Sequence, residues 1–269
     1  MSLDRGSVND LVDLDRYPID GLADAEGRKL IETCHSALGS EGACQLPGFL
    51  SPSAIEMMTA EASALMPLAY RQGDTHNVYF TDVDASLPED DPRRMLEHSS
   101  SLTVAWDQVP TGSGISRLYG SDLVLNFVAA ALGEDTLYRH GDPFGACTVK
   151  GYAAGDELGW HFDNADFAVT LMLQGSEGGG SFEYVPWIRS DEDENHGGIA
   201  DLLRGNASNV IRFPSEPGTL AFFRGQRSIH RVTPVSDDRL RINIVLAYAN
   251  HPGVKLSENT QRLFYGRVA

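Results

Sequence analysis

The chain has 269 residues, long enough for one sizeable hydrophobic core, and no linker-like stretch divides it, so we expect a single domain over 1–269. Acidic residues outnumber basic ones 38 to 21, and the resulting formal net charge of −17 disfavours a nucleic-acid partner because such a surface repels phosphate backbones. The three cysteines have unrelated spacings, the N-terminus lacks an apolar signal core, and no run approaches the roughly 20 apolar residues of a membrane span. We therefore expect a cytoplasmic protein without disulfides and without a membrane partner.

The first part of the chain, 1–140, is predicted to be a mostly helical support region. Apolar residues at helical spacing indicate a first helix that stops near Gly39, and Ser51 followed by Pro52 is typical of the start of a second. A third helix is expected over 123–132, ended by Gly133, and a strand over 43–50. These apolar stripes are more often core than ligand contacts, so we interpret them as packing against a sheet.

From residue 141 to 250 the pattern changes to short apolar runs separated by glycine and proline. Eight strands are predicted, which favours an α+β, mainly β, fold with a sandwich or barrel at its centre; they cover 146–152, 160–163, 167–173, 181–185, 210–213, 219–223, 229–235 and 240–247. The stretch 186–209 interrupts the strands as an insert over the mouth, with a short helix at 199–203, and 251–269 is a C-terminal tail.

The triplet His161, Phe162 and Asp163 predicts a metal site together with His230, sixty-nine positions after His161. Side chains alternate faces along a strand, so His161 and Asp163 can reach one metal from the same side. Two imidazoles and one carboxylate leave coordination positions open on Fe(II), as oxygen chemistry requires. A second triplet, His140, Gly141 and Asp142, runs directly into a proline and is interpreted as a loop.

The last predicted strand carries an anchor for an acidic cosubstrate. Its even positions from Leu240 to Leu246 are apolar, whereas Arg239, Arg241 and Asn243 share the opposite face. A guanidinium matches a carboxylate in a bidentate fork, and Arg239 lies nine residues after His230, so we predict Arg239 as the carboxylate clamp. The alternative is a surface strand edge with solvated charges.

This arrangement resembles the Fe(II)/2-oxoglutarate-dependent oxygenases, which have a His-x-Asp, a distal His and an Arg about ten residues later. A closer resemblance, to the free-amino-acid radical halogenases and their hydroxylase relatives, is carried by the stretches at 142–145, 159–163, 178–184, 189–195 and 265–267. The resemblance implies a double-stranded β-helix of the cupin or jelly-roll kind with N-terminal helices packed on it. It also implies that Fe(II), 2-oxoglutarate and O2 take part, with Arg239, Arg241 and Tyr152 as contacts of 2-oxoglutarate.

One residue departs from the halogenating members, which have Gly or Ala in place of the carboxylate ligand. This chain keeps Asp163, so the resemblance points to a hydroxylase. The substrate is predicted to be a free amino acid with a neutral side chain, near Asn164, Phe144 and Val245, its carboxylate held by Arg93 or Arg94.

Two alternatives to this function stay open. The first is an enzyme of the same superfamily acting on a carrier-bound, peptide or natural-product substrate, by hydroxylation, desaturation or cyclisation. The second is a non-catalytic metal-binding β-barrel module, which would need no anion clamp beside the metal.

Overall fold

The computed structural model describes residues 8–269. Six α-helices lie in this range: α1 Ala25–Glu41, α2 Pro52–Leu65, α3 Gly114–Gly120, α4 Asp122–Leu132, α5 His196–Leu203 and α6 Glu258–Tyr265. The strands are β1 Ala43–Leu46, β2 Tyr70–His76, β3 Glu97–Val104, β4 Tyr138–Arg139, β5 Cys147–Tyr152, β6 Glu157–His161, β7 Ala168–Gln174, β8 Phe182–Val185, β9 Ile211–Phe213, β10 Leu220–Phe223, β11 Ile229–Val232, β12 Arg241–Leu246 and β13 Tyr248–Ala249.

The helix ends follow local capping chemistry. The Ser51 hydroxyl accepts a hydrogen bond from Ala54 N at the start of α2, whose first residue is Pro52. α4 stops at Gly133, which has a left-handed backbone. The predicted end of α1 near Gly39 is wrong: the helix continues to Glu41, because the residue that turns left-handed is Gly42.

Eleven antiparallel strands form one sheet, with the order β1-β10-β7-β12-β5-β3-β6-β11-β8-β9 and β2 beside β3. The first half of β3 pairs with β6 and its second half pairs with β5, so the sheet bends at β3. The resulting half-barrel confirms the predicted α+β, mainly β, class and the jelly-roll core. The predicted mostly helical character of 1–140 does not hold for 70–104, because β2 and β3 belong to this sheet.

The two ends of the half-barrel differ. We call the end formed by the turns 153–156, 175–180 and 233–240 the closed end, because these turns hydrogen-bond to one another through Gly155, Val235 and Gly178. The segments 162–167 and 224–228 lie at the opposite, open end. Strand β6 therefore runs from the closed end to the open end, and β12 runs in the same sense from Arg241 to Leu246.

Alternating side chains separate the core from the interior of the half-barrel. On β12, Ile242, Ile244 and Leu246 pack against the helices in the main hydrophobic core, whereas Arg241, Asn243 and Val245 face inward. The insert 186–209 contributes α5, whose Ile199 and Leu202 pack in a separate cluster with Phe162. Within residues 8–269, no helix combines the length and the apolar character needed to cross a bilayer.

Candidate metal and cosubstrate site

His161 and His230 lie directly opposite each other on neighbouring antiparallel strands. His161 ends β6, His230 is the second residue of β11, and the strand register pairs them. Cross-strand partners on one face have Cβ atoms about 5 Å apart. The two ring centroids are 4.1 Å apart and both side chains are buried at the open end of the half-barrel.

The backbone fixes which nitrogen of each imidazole is available. His161 Nδ1 lies 2.8 Å from the carbonyl oxygen of Gly159, and His230 Nδ1 lies 3.1 Å from that of Ser228. Because a carbonyl oxygen only accepts, each Nδ1 carries the proton and donates it. Both Nε2 lone pairs are therefore left for a metal ion, and both rings are oriented before any metal binds.

Asp163 completes the group from just beyond the strand. Its backbone N–H donates to Gly225, which places the residue at the open end after β6 has ended. Its Oδ1 lies 3.8 Å from His161 Nε2 and 3.6 Å from His230 Nε2, and the three ligand atoms lie within 4.8 Å of one another. Its Oδ2 is buried with no hydrogen-bond partner. Since such an oxygen is costly to bury unless it faces a cation, this donor set fits a metal ion.

The electrostatics of the group suit metal binding. Burial lowers the pKa of His161 to about 3, with a further contribution from His230, so the imidazole is neutral and able to coordinate at neutral pH. Burial acts to raise the pKa of Asp163, but the neighbouring His230 and His161 outweigh it and hold that pKa below its ordinary value. Asp163 is therefore a carboxylate at neutral pH.

The three ligands border a cavity of about 190 Å³ inside the half-barrel. Much of its wall is apolar, with Ala168, Ala221, Phe223 and Val245 among the contributors. Among the described residues that line it, Asp163 is the one carboxylate, and Lys150 and Arg241 are the two cations. The cavity therefore suits an anionic ligand that reaches the metal from inside.

Arg241 is the buried guanidinium of this cavity. It is 3 % exposed, its Nη1 donates to Asn243 Oδ1 at 2.8 Å, and its guanidinium carbon lies 5.1 Å from the Tyr152 ring centroid. Its Nε is buried without a partner. Burial lowers the pKa of Arg241, but a guanidinium stays charged at any physiological pH. The described residues pair this buried cation with no anion.

Arg239, the predicted clamp, is not in the cavity. Its side chain is 49 % exposed and its Nη1 lies 3.3 Å from Glu177 at the surface. The physical reason is that β12 begins only at Arg241, so Arg239 belongs to the turn before the strand, where its backbone N–H donates to Asp237. The prediction placed the correct face of the strand inward, but it assigned the clamp to Arg239, which lies two residues before β12 begins.

Four of the five predicted substrate residues are not among those that line this cavity. Val245 lines the cavity. Phe144 is buried against Tyr265 and beneath Arg267, and Asn164 is exposed. Arg93 forms a bidentate ion pair with Asp91, two residues earlier in the chain, and Arg94 donates a hydrogen bond to the backbone carbonyl of Leu87. Both arginines therefore have local hydrogen-bond partners.

The second triplet has a structural role, as its proline predicted. Asp142 is buried and its carboxylate accepts hydrogen bonds from the backbone of Phe144, Gly145 and Leu256 and from the Gln261 side chain. Among residues 8–269, the group formed by His161, Asp163 and His230 is the one cluster of three or more potential ligands.

Two contributors to the site were not predicted. A Cβ at Gly225 would overlap the Asp163 carboxylate, so only glycine leaves room for the ligand. Lys150 lines the cavity from β5. The turn composition around 224–226 could have indicated Gly225. A single lysine in an apolar strand does not indicate what surrounds its side chain.

An antiparallel half-barrel with two histidines and a carboxylate at its open end agrees with the resemblance to the Fe(II)/2-oxoglutarate-dependent oxygenases, except that the buried arginine inside it is Arg241 and not Arg239. The chain belongs to the Halogenase D family, whose model matches residues 27–264. A comparison with curated protein sequences gave no match.

Solved structures share the fold at low sequence identity. An oxidoreductase of the 2OG-Fe(II) oxygenase family from Burkholderia pseudomallei is 17 % identical, with a TM-score of 0.51 over 83 % of this chain and 92 % of that chain. A Trichoplax adhaerens prolyl hydroxylase in complex with a hypoxia inducible factor peptide is 16 % identical, with a TM-score of 0.54 over 84 % and 91 %. The epimerase SnoN, in complex with Fe3+, alpha ketoglutarate and nogalamycin RO, is 15 % identical, with a TM-score of 0.56 over 82 % and 84 %. The shared fold confirms the predicted jelly-roll architecture, and the donor set of His161, Asp163 and His230 fits the predicted metal ion.

Proposed function

We propose that this protein hydroxylates an unactivated C–H bond of a free amino acid, with Fe(II), 2-oxoglutarate and O2. One observation carries the proposal: three metal-ligand atoms converge at the mouth of a cavity that has an unpaired, buried guanidinium deeper inside. A purely structural metal would be enclosed by a fourth protein ligand and would need no such cation.

His161, Asp163 and His230 would hold the metal, and Arg241 would hold the distal carboxylate of 2-oxoglutarate in place of the exposed Arg239. Bound Fe(II) with 2-oxoglutarate and O2 supplies the oxidation that replaces hydrogen by hydroxyl on the substrate. The protein's part is to fix both imidazole tautomers, to orient the diacid through Arg241 and Tyr152, and to exclude water with the apolar cavity wall.

Hydroxylation is favoured over halogenation because Asp163 occupies the third ligand position. Halogenating members of the family that the sequence resembles have Gly or Ala there, which leaves a place for a halide. In this chain the Asp163 carboxylate fills that place, and Gly225 beside it provides the space.

The charges of the cavity support a substrate with a neutral side chain. A lysine or arginine substrate would need acids around its cation, yet the one carboxylate lining the cavity, Asp163, faces the two histidines. A cytoplasmic location is part of the proposal and is supported by the three cysteines, which are all buried free thiols.

The test is succinate release with each of the twenty amino acids in the presence of Fe(II), 2-oxoglutarate and O2, followed by product mass. A gain of one oxygen with a neutral amino acid is expected. His161→Ala and His230→Ala should abolish coupled turnover, whereas His251→Ala, an exposed histidine, should not. A product lighter than the substrate by two hydrogens would indicate desaturation instead of hydroxylation. Succinate release with lysine or arginine alone would contradict a substrate with a neutral side chain.

A further inference from the structure

Strand β6 changes face before it reaches its metal-ligand residue. Leu158 lines the cavity, and so does His161, three residues later. Trp160 and Phe162 instead pack in the separate hydrophobic cluster that contains Ile199 of α5. Side chains alternate between the two faces of a regular strand, so residues three positions apart would point to opposite faces. The alternation of β6 therefore slips by one residue between Leu158 and His161.

The register with β11 shows the extra residue. His161 pairs with His230 and Leu158 pairs with Val232, so three steps along β6 lie opposite two steps along β11. This is a β-bulge, and it involves residues 159–160. A slip of one residue turns the side chains that follow to the other face of the sheet. Without the bulge, His161 would point away from the cavity.

Gly159 allows β3 to approach the bulge closely. A Cβ at this position would lie 2.6 Å from Glu97 Cβ and 2.7 Å from the backbone carbonyl oxygen of His98. Glycine inside a strand often marks a bulge or a close approach of another backbone, and here it does both. The Gly159 carbonyl also accepts the hydrogen bond from His161 Nδ1. The backbone of the bulge thus sets the face of His161 and the orientation of its ring.

Two side chains of β3 accept hydrogen bonds from the amides of the bulge. Leu158 is the last residue of β6 in register with β3. Beyond it, Gly159 N donates to Ser99 Oγ at 3.0 Å. Trp160 N donates to Glu97 Oε2 at 3.1 Å. A buried N–H is costly when it has no acceptor, so these two side chains stabilise the bulged backbone.

The Ser99 hydroxyl is itself held in place by His76. His76 Nδ1 lies 3.0 Å from the carbonyl oxygen of Asn77. Because a carbonyl oxygen only accepts, Nδ1 carries the proton and Nε2 of the neutral ring is an acceptor. Nε2 lies 2.6 Å from Ser99 Oγ, so the hydroxyl donates to His76 and its oxygen accepts from Gly159. Ser99 is buried, and both hydrogen-bonding functions of its hydroxyl are used.

We propose that Ser99 and Glu97 are positioning residues for the metal site, because their side chains hold the bulge that turns His161 toward the cavity. The proposal rests on the proposed function, since it assigns the bulge to metal binding. Both residues act through the backbone of 159–160 and not as ligands. Ser99 and Glu97 alternate with Ser100 and His98 along β3, so a single face of that strand serves the bulge.

The first test is the Mn(II) affinity of the intact protein, measured by calorimetry. Ser99→Ala should raise the Kd roughly tenfold or more, since loss of a residue that orients a metal ligand typically costs 10–100-fold. Ser101→Ala is the matched control: Ser101 is buried on the same face of β3, but its hydroxyl accepts from Lys150. Its Kd should stay within about twofold of the wild-type value.

Glu97 offers a second pair of variants. Glu97→Gln keeps an oxygen that can accept from Trp160 N, so its Mn(II) Kd should stay within about twofold of the wild-type value. Glu97→Met removes the acceptor and should raise the Kd roughly tenfold. The two variants have side chains of similar length, so a difference between them reports the hydrogen bond.

The second test needs no metal. Imidazole 15N NMR of the metal-free protein reports which nitrogen of His161 carries the proton, with the signal assigned by its loss in His161→Gln. The wild type and Ser101→Ala should show the Nδ1–H form alone. Ser99→Ala and Glu97→Met should show a mixture of both forms, because the Gly159 carbonyl is no longer held against the ring. A purely structural role would lower stability and leave the tautomer unchanged.

Opposite outcomes would overturn the proposal. Wild-type Mn(II) affinity and an unchanged tautomer in both Ser99→Ala and Glu97→Met would do so. Equal loss of affinity in Ser99→Ala and Ser101→Ala would also do so, because it would show a general requirement for the hydroxyls of β3. If Ser99→Ala does not fold, Glu97→Met against Glu97→Gln decides by the same two measurements. Failure of the wild type to bind Mn(II) would remove the proposed function, whereas the tautomer comparison would still test the bulge.

Discussion

Gly225 and Asp163 act together, because the space for the carboxylate exists only where the facing residue has no side chain. A Cβ at position 225 would overlap the Asp163 carboxylate, while the Gly225 carbonyl accepts the hydrogen bond from Asp163 N. Asp163, the third proposed metal ligand, is therefore placed by the end of β6 and by the turn that precedes β11.

Gly225→Ala should weaken metal binding without unfolding the protein. The added methyl pushes the carboxylate away from the two Nε2 atoms, and substitution of a residue that positions a ligand typically reduces metal affinity by roughly 10–100-fold. Mn(II) affinity measured by calorimetry is the readout. Gly197→Ala, where a Cβ meets nothing within 4 Å, is the matched control. Equal affinities for the two variants would show that Gly225 has no part in positioning Asp163.

At the scale of elements, α6 is held to the half-barrel by Asp142. This carboxylate accepts hydrogen bonds from Leu256 N at 3.1 Å and from Gln261 Nε2 at 2.6 Å, and it also ties down the turn that leads into β5. The helix then supplies Tyr265, whose hydroxyl lies 2.9 Å from that of Thr148 on β5. The predicted C-terminal tail is thus a packed helix beside the cavity wall.

The two aspartates of the two His-x-Asp triplets should separate stability from metal binding. Asp142→Ala leaves four donors, two of them buried, without an acceptor and should lower the free energy of unfolding by about 3 kcal/mol, with Mn(II) affinity little changed in the folded fraction. Asp163→Ala removes a buried carboxylate oxygen that has no donor, so the metal-free protein should keep its stability while its metal affinity falls. Urea unfolding and calorimetry measure both quantities. The reverse pattern would exchange the roles assigned to the two triplets.

The elements that were predicted correctly are those in which sequence pattern and burial agree. β5, β7, β10 and β12 are apolar and lie in the middle of the sheet, and α2 and α4 have clear capping residues. β2 and β3 were missed because Tyr70–His76 is mostly exposed and Glu97–Val104 contains three serines, so neither shows an apolar alternation. The sequence predicted the grouping of His161, Asp163 and His230, although Asp163 lies beyond the end of β6 and not within the strand. The choice between Arg239 and Arg241 was not, because it depends on where β12 begins.

The whole molecule has a formal net charge of −17, which opposes compaction. Exposed ion pairs such as Arg204 with Asp90 contribute little each, so screening the excess acids should outweigh screening these pairs. Raising NaCl from 20 to 200 mM at pH 7.5 should increase the unfolding temperature by about 2–4 °C, the shift that roughly 1 kcal/mol produces in a chain of this size. Near the sequence pI of 4.7 the increase should vanish. A fall in unfolding temperature with salt at pH 7.5 would show that the surface ion pairs dominate.

We propose that His161, Asp163 and His230 hold Fe(II) while Arg241 anchors 2-oxoglutarate beside it. The most direct measurement is an anaerobic titration of 2-oxoglutarate into the Fe(II)-loaded protein, followed by the visible charge-transfer absorbance of the chelated keto acid. Saturable absorbance is expected in the wild type and in Arg239→Met, with a Kd raised roughly a hundredfold in Arg241→Met, for loss of a bidentate charged contact. No band is expected when His161 and His230 are both alanine. Absence of the band from the wild type, or its persistence without the two histidines, would contradict the claim.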